Sequence, residues 1–123
     1  MRAYYKSLFF SLWILGCTSV TEPGEVYVLD KSKFDKIRQS PNVLILDVRT
    51  LDEYKAGHIP GAVNIDFYSD DFEQKVKQIR GYDRVLVYCA SGRRSTASID
   101  VLKKAGFSYI GNLDGGYNKW SRR

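Results

Sequence analysis

Residues 84–95 read RVLVYCASGRRS, and this stretch decides the fold. Val85–Tyr88 is an uninterrupted run of Val, Leu and Tyr with no polar alternation, the pattern of a strand covered on both faces. The run ends in Cys89, and Gly92 permits a tight backbone arc immediately after it. From Ser95 to Ala105, Ile99 and Leu102 fall on one face and Gly106 follows as a stop, which predicts a helix. A buried strand, a tight loop and a covering helix together form the repeating unit of a parallel α/β sheet.

Moving outward, Val43–Val48 (VLILDV) is a second near-continuous apolar run, and Thr50 opens a helical turn that passes through Ala56 to a stop at Gly57. Further upstream, Val26–Leu29 predicts a short strand, and Asp30 caps a helix over Lys31–Arg38 on which Phe34 and Ile37 share a face. Ser40-Pro41-Asn42 ends it. Ala62–Ile65 predicts a further strand, and Ser69–Ile79 a helix with Phe72, Val76 and Ile79 as its apolar stripe. A last strand over Tyr109–Leu113 runs through Asp114-Gly115-Gly116 into a short terminal helix carrying Trp120. The expected fold is therefore three-layer α/β, with a mostly parallel sheet of about five strands flanked by helices. In such open sheets the site forms outside the carboxyl ends of the strands, where Cys89 and Asp47-Val48-Arg49 both fall.

The chain has 123 residues, 44% hydrophobic and 27% charged, which excludes a disordered polymer and leaves room for one core and one site. Nineteen Lys and Arg against fourteen Asp and Glu give +5, a scattered excess that steers anions but forms no nucleic-acid stripe. The nine tyrosines show no base-stacking pattern, and no nucleic-acid partner is expected. One histidine, His58, and two cysteines do not supply the four ligands of a zinc site, so neither metal nor cofactor is expected. His58 is expected to fix the turn before Pro60 rather than act as a base.

The first residues form a separate unit. Arg2 and Lys6 precede an apolar run over Leu8–Leu15 and small residues at Gly16-Cys17-Thr18, which is signal-peptide order. The run is far short of the roughly 20 residues that span a bilayer. Ile14-Leu15-Gly16-Cys17 resembles the lipobox of bacterial lipoproteins, in which the cysteine is lipidated and becomes the new N-terminus. The organisation expected is a lipoprotein signal peptide over 1–16, a lipidated tether over 17–25 and a folded domain over 26–123. Lipidation at Cys17 implies membrane anchoring on the periplasmic side of a bacterial envelope. Thr18 in place of Asp favours the outer membrane of a Gram-negative cell.

The loop from Cys89 to Ser95 carries the chemistry. Amides of Ala90, Ser91, Gly92, Arg93, Arg94 and Ser95 are expected to curl into an anion-binding nest at a helix N-terminus, reinforced by the two arginines. Cysteines in such surroundings ionise at roughly 3.5 to 7.5, against ~8.5 when free, so Cys89 is expected to be a reactive thiolate reachable from outside.

Four motifs now agree in order: Asp47-Val48-Arg49, Glu53-Tyr54 with Gly57-His58-Ile59-Pro60-Gly61-Ala62, the Cys89–Ser95 loop, and Leu113-Asp114-Gly115-Gly116 before Trp120. In these the chain resembles rhodanese, the thiosulfate sulfurtransferase superfamily. The resemblance implies that Cys89 takes the outer sulfur of thiosulfate or another persulfide donor and passes it, as a persulfide, to a thiol or cyanide acceptor. It implies Arg93 as the grip on the donor sulfonate, Arg94 as a brace on loop carbonyls, and Asp47 and Arg49 as organisers of the site. Ser95 is expected to cap the following helix and to donate toward Cys89. Six residues from Cys89 to Arg94 match the sulfurtransferases, whereas the related cell-cycle phosphatases use a loop one residue longer. An alternative stays open: a non-catalytic rhodanese-like binding or sensing module of the cell envelope. No protein partner is specified by the sequence.

Overall fold

A computed structural model describes residues 24–123. The proposed signal peptide and Cys17 lie outside the described residues.

Five parallel strands, β1 (Glu25–Leu29), β2 (Val43–Asp47), β3 (Val63–Asn64), β4 (Arg84–Tyr88) and β5 (Tyr109–Leu113), form one sheet in the order β1-β5-β4-β2-β3. The two most apolar runs become the central neighbours β2 and β4, paired from Val43↔Arg84 to Asp47↔Tyr88, so their carboxyl ends are level. Helices α1 (Lys31–Arg38), α2 (Leu51–Ala56), α3 (Phe72–Lys77), α4 (Arg93–Lys104) and α5 (Gly116–Trp120) connect or follow them.

Alternation along each strand divides the core. Leu44, Leu46, Val85 and Val87 face Phe72 and Val76 of α3 and Leu102 of α4. Ile45, Leu86 and Tyr88 face Phe34 of α1, with Tyr54 of α2 and Tyr117 and Trp120 of α5 packed around them. Burying both faces is why these strands read as continuous apolar runs rather than alternating ones.

The helix starts follow their capping residues. Asp30 accepts the Lys33 amide at 2.8 Å, and Thr50 with Glu53 forms a reciprocal capping box at the start of α2. Strand β3 is Val63–Asn64, shorter than the expected Ala62–Ile65, and two helices also differ from expectation. Helix α3 is confined to Phe72–Lys77 rather than running over Ser69–Ile79, because Asp66 and Ser69 carbonyls accept turn hydrogen bonds ahead of it. Helix α4 begins at Arg93, two residues before Ser95, because Gly92 takes the N-cap position with φ of +103°. Among the described residues no helix is long and apolar enough to cross a membrane.

Candidate active site

Strand β4 delivers Cys89 to the carboxyl edge of the sheet, and the chain turns at once into α4. The turn is aimed by its neighbour α5. The Tyr117 amide donates to the Cys89 carbonyl at 2.8 Å and the Asn118 amide to the Ala90 carbonyl at 3.0 Å. In a trans peptide the carbonyl and the next amide point opposite ways, so tying the Ala90 carbonyl to α5 turns the Ser91 amide inward. Gly116 makes this contact possible: its φ is +61°, and a side-chain carbon there would lie 2.5 Å from the Ala90 oxygen.

The Gly92 amide donates to the Cys89 sulfur at 3.0 Å. Burial alone would push the Cys89 thiol up; the Ser95 hydroxyl and the amides of Ser95, Gly92 and Ser91 outweigh it and hold the thiol below its ordinary range. Since α4 starts at Arg93, the Ser95 amide is a free donor of its first turn, which adds the helix-terminus field. Of the six amides expected to form a nest, that of Gly92 is the one hydrogen-bonded to the sulfur, with those of Ser91 and Ser95 adding to its electrostatic support.

Arg94 departs from expectation. Arg94 braces the loop through a carboxylate rather than through loop carbonyls: its guanidinium donates to both oxygens of Glu53 on α2, at 2.7 and 3.0 Å. Arg94 lowers the Glu53 carboxyl to about 2. Glu53 appears in the sequence as one residue of a motif, and its capping-box spacing from Thr50 was legible, but nothing local pairs it with a residue 41 positions away. Arg93 is exposed and makes no ion pair among the described residues. Arg94 makes no hydrogen bond to the sulfur and acts on it only through its charge. Ser95 is likewise corrected in part: it lies inside α4 and does not cap the helix, and its single hydroxyl proton serves either the Gly92 carbonyl, at 3.2 Å, or the Cys89 sulfur.

Asp47 and Arg49 form a buried bidentate pair, with Arg49 Nη2 at 2.7 Å from Asp47 Oδ2. Arg49 also donates to the Gly57 carbonyl at 2.7 Å and lies over the Tyr117 ring at 4.3 Å. Asn64 closes the turn by donating to the Asp47 and Arg49 carbonyls. The pair therefore ties β2, α2, β3 and α5 into one platform beneath the loop, and among the described residues it makes no hydrogen bond to Cys89. Beside it, burial and the Asp47 carboxylate push the Tyr88 hydroxyl up, and that hydroxyl accepts the Ile59 amide at 3.1 Å. His58 is structural as expected: its Nδ1 donates to the Tyr54 carbonyl at 2.9 Å and its ring stacks on Tyr54.

The thiol is not open, contrary to expectation. Cys89 exposes 0% of its surface and belongs to the buried cluster that includes Val48 and Val87. The amides that stabilise the thiolate do so by closing around it, and stabilisation and exposure compete. Among the described residues no three His, Cys, Asp or Glu side chains converge as a metal site.

An open parallel α/β domain whose described part holds one thiol, kept acidic by a loop of amides at the end of its central strand, defines the class of rhodanese folds. The chain belongs to the rhodanese-like domain family, whose pattern matches residues 30–123. It is 34% identical over 86 residues to YrkF of Bacillus subtilis, covering 70% of this chain and 45% of that longer one. It is 34% identical over 115 residues to thiosulfate sulfurtransferase 18 of Arabidopsis thaliana, covering 84% of each. A rhodanese-related protein of Thermoplasma volcanium superposes with a TM-score of 0.65 at 26% identity, over 76% of this chain and 89% of that one.

Proposed function

We propose that this protein is a sulfurtransferase that carries a sulfane sulfur on Cys89. The observation that carries the proposal is the Cys89 sulfur, held below its ordinary pKa by the Ser95 hydroxyl and the amides of Ser95, Gly92 and Ser91. The Cys89 thiolate attacks the outer sulfur of thiosulfate. A Cys89–sulfur bond forms, the bond to the sulfonate sulfur breaks, and its electron pair leaves with sulfite. The new persulfide is itself an anion, which the same amides hold without rearrangement. Cyanide or a thiolate then attacks the outer sulfur and returns the Cys89 thiolate. No proton is required in either step, which fits the structural placement of His58. Arg93, exposed and unpaired among the described residues, grips the donor sulfonate.

The complete burial of Cys89 sets a condition on this mechanism: the mouth must widen before the donor sulfur meets the thiolate. The same burial favours a second reading, a rhodanese-like module that binds a ligand or partner without turnover. Incubation with thiosulfate and cyanide separates the two. A sulfurtransferase forms thiocyanate and, without cyanide, adds one sulfur to the mass of the Cys89 peptide. Neither product from the folded protein would overturn the enzymatic reading.

We also propose that the chain is lipid-anchored at Cys17 through a tether that ends before Glu25, which opens β1 and belongs to the folded domain rather than to the tether. The support is the order of cations, apolar run and Ile14-Leu15-Gly16-Cys17. A Cys17→Ser chain is expected to leave the membrane pellet for the soluble fraction, and unchanged fractionation would remove the anchor.

A further inference from the structure

Two arginines follow one another here, yet the donors that act most strongly on the Cys89 sulfur are amides and a hydroxyl. Arg94 is committed elsewhere: Glu53 takes both ends of its guanidinium at 2.7 and 3.0 Å, with the side chains 14% and 34% exposed. Glu53 is itself held rigidly. It closes the capping box of α2, accepting from the Thr50 amide and hydroxyl at 3.3 and 3.1 Å. The carboxylate is thus aimed at the loop by the start of another helix, and it cancels the charge of Arg94 in place.

We infer that Glu53 is a positioning residue that sets the charge of the Cys89 loop: it offsets the charge of Arg94, so that uncharged donors dominate the hold on the sulfur and Arg93 remains the cation without an ion pair among the described residues. The inference rests on the sulfurtransferase reading for its catalytic meaning.

The physical reason concerns nucleophilicity. A thiolate stabilised further by a full positive charge is more abundant but attacks more slowly, because nucleophilicity falls with basicity. Arg94 is close enough for the Cys89 charge to act on it, so leaving it unpaired would add that stabilisation. The charged and titratable groups gathered here are Glu53 on α2, Arg93 and Arg94 on α4, Cys89 itself, and Tyr68, whose ring lies 5.9 Å from the Arg94 guanidinium.

The test compares the full chain with Glu53→Gln, Arg94→Gln and the double variant. Thiolate absorbance of Cys89 is followed against pH, as the difference from Cys89→Ser. Glu53→Gln retains the shape of the pair while uncovering Arg94, and is expected to lower the Cys89 midpoint by about 0.5 to 1 pH unit. With a Brønsted slope of 0.4 to 0.5, the limiting rate of persulfide formation should fall about two-fold above the midpoint. Arg94→Gln uncovers the carboxylate and should raise the midpoint, and the double variant should return toward the parent chain. A Glu53→Gln midpoint that does not move, or one that rises and is not restored in the double variant, overturns the inference. Should the Glu53→Gln chain not fold, Arg94→Gln decides alone: a raised midpoint supports it and an unmoved one overturns it. The titration does not depend on sulfur transfer, so absence of persulfide in the parent chain refutes the proposed activity without touching this result.

Discussion

Strands β2 and β4 end side by side, and their carboxyl ends are used in opposite ways. After β2 come Asp47 and Arg49, whose charges are spent on each other, on the Gly57 carbonyl and on the Tyr117 ring. After β4 comes Cys89, whose thiol is held low chiefly by amides and a hydroxyl rather than by an ion pair. One junction is a closed electrostatic account that holds the platform. The other favours a negative sulfur chiefly through dipoles. A thiolate paired as tightly as Asp47 would be stable and unreactive.

The sharpest way to break the contrast is Cys89→Ser. It is expected to abolish both thiocyanate formation and the added sulfur mass, while the thermal unfolding midpoint stays close to that of the parent. Activity surviving this change would move the chemistry away from β4 altogether. At the other junction, Arg49→Ala leaves Asp47 buried and unpaired and should cost about 3–5 kcal/mol by urea denaturation, the range for a broken buried pair. A loss under about 1 kcal/mol would show that the platform does not depend on this pair.

Gly116→Ala probes the join between the two regions. The new carbon meets the Cys89 and Ala90 carbonyls in a left-handed backbone position, so a loss of about 1–3 kcal/mol is expected. The Cys89 titration should also move upward as the Ser91 amide turns away. Arg93→Ala should raise the KM for thiosulfate about ten-fold, near the ~1.4 kcal/mol of one charged contact, with kcat little changed. An unaltered KM would release Arg93 from donor binding.

The smallest effect concerns acid. Glu53 titrates near 2 in the fold against 4.5 ordinarily, so its pairing stabilises the protein above about 4.5 and is lost as pH falls toward 2. With the carboxylate about a third exposed, the contribution is about 1 kcal/mol. Urea midpoints measured down that pH window should fall less steeply in Glu53→Gln than in the parent.

Much of this was legible in the chain. The two continuous apolar runs announced the central strands, Asp30 and Thr50 announced their helices, and Cys89 with Gly92 announced the loop. The misses share a cause. Arg94 was expected on loop carbonyls and is found on Glu53, and the approach of Gly116 to the Cys89 loop had no counterpart in the sequence reading. Each is a contact between segments far apart in sequence, for which periodicity and capping offer no signal. The openness of Cys89 was also misjudged, because exposure depends on what packs over a residue and not on the residue.

The sequence by itself determined the order of strands and helices and the position of Cys89 between a buried strand and a helix start, because backbone preference and hydrophobic period act over a few residues. Only the tertiary structure decided which arginine is neutralised, which helix aims the amides at the sulfur, and that the sulfur is covered. Those outcomes depend on distances between α2, α4 and α5, and such distances exist only once the sheet has brought the three helices together.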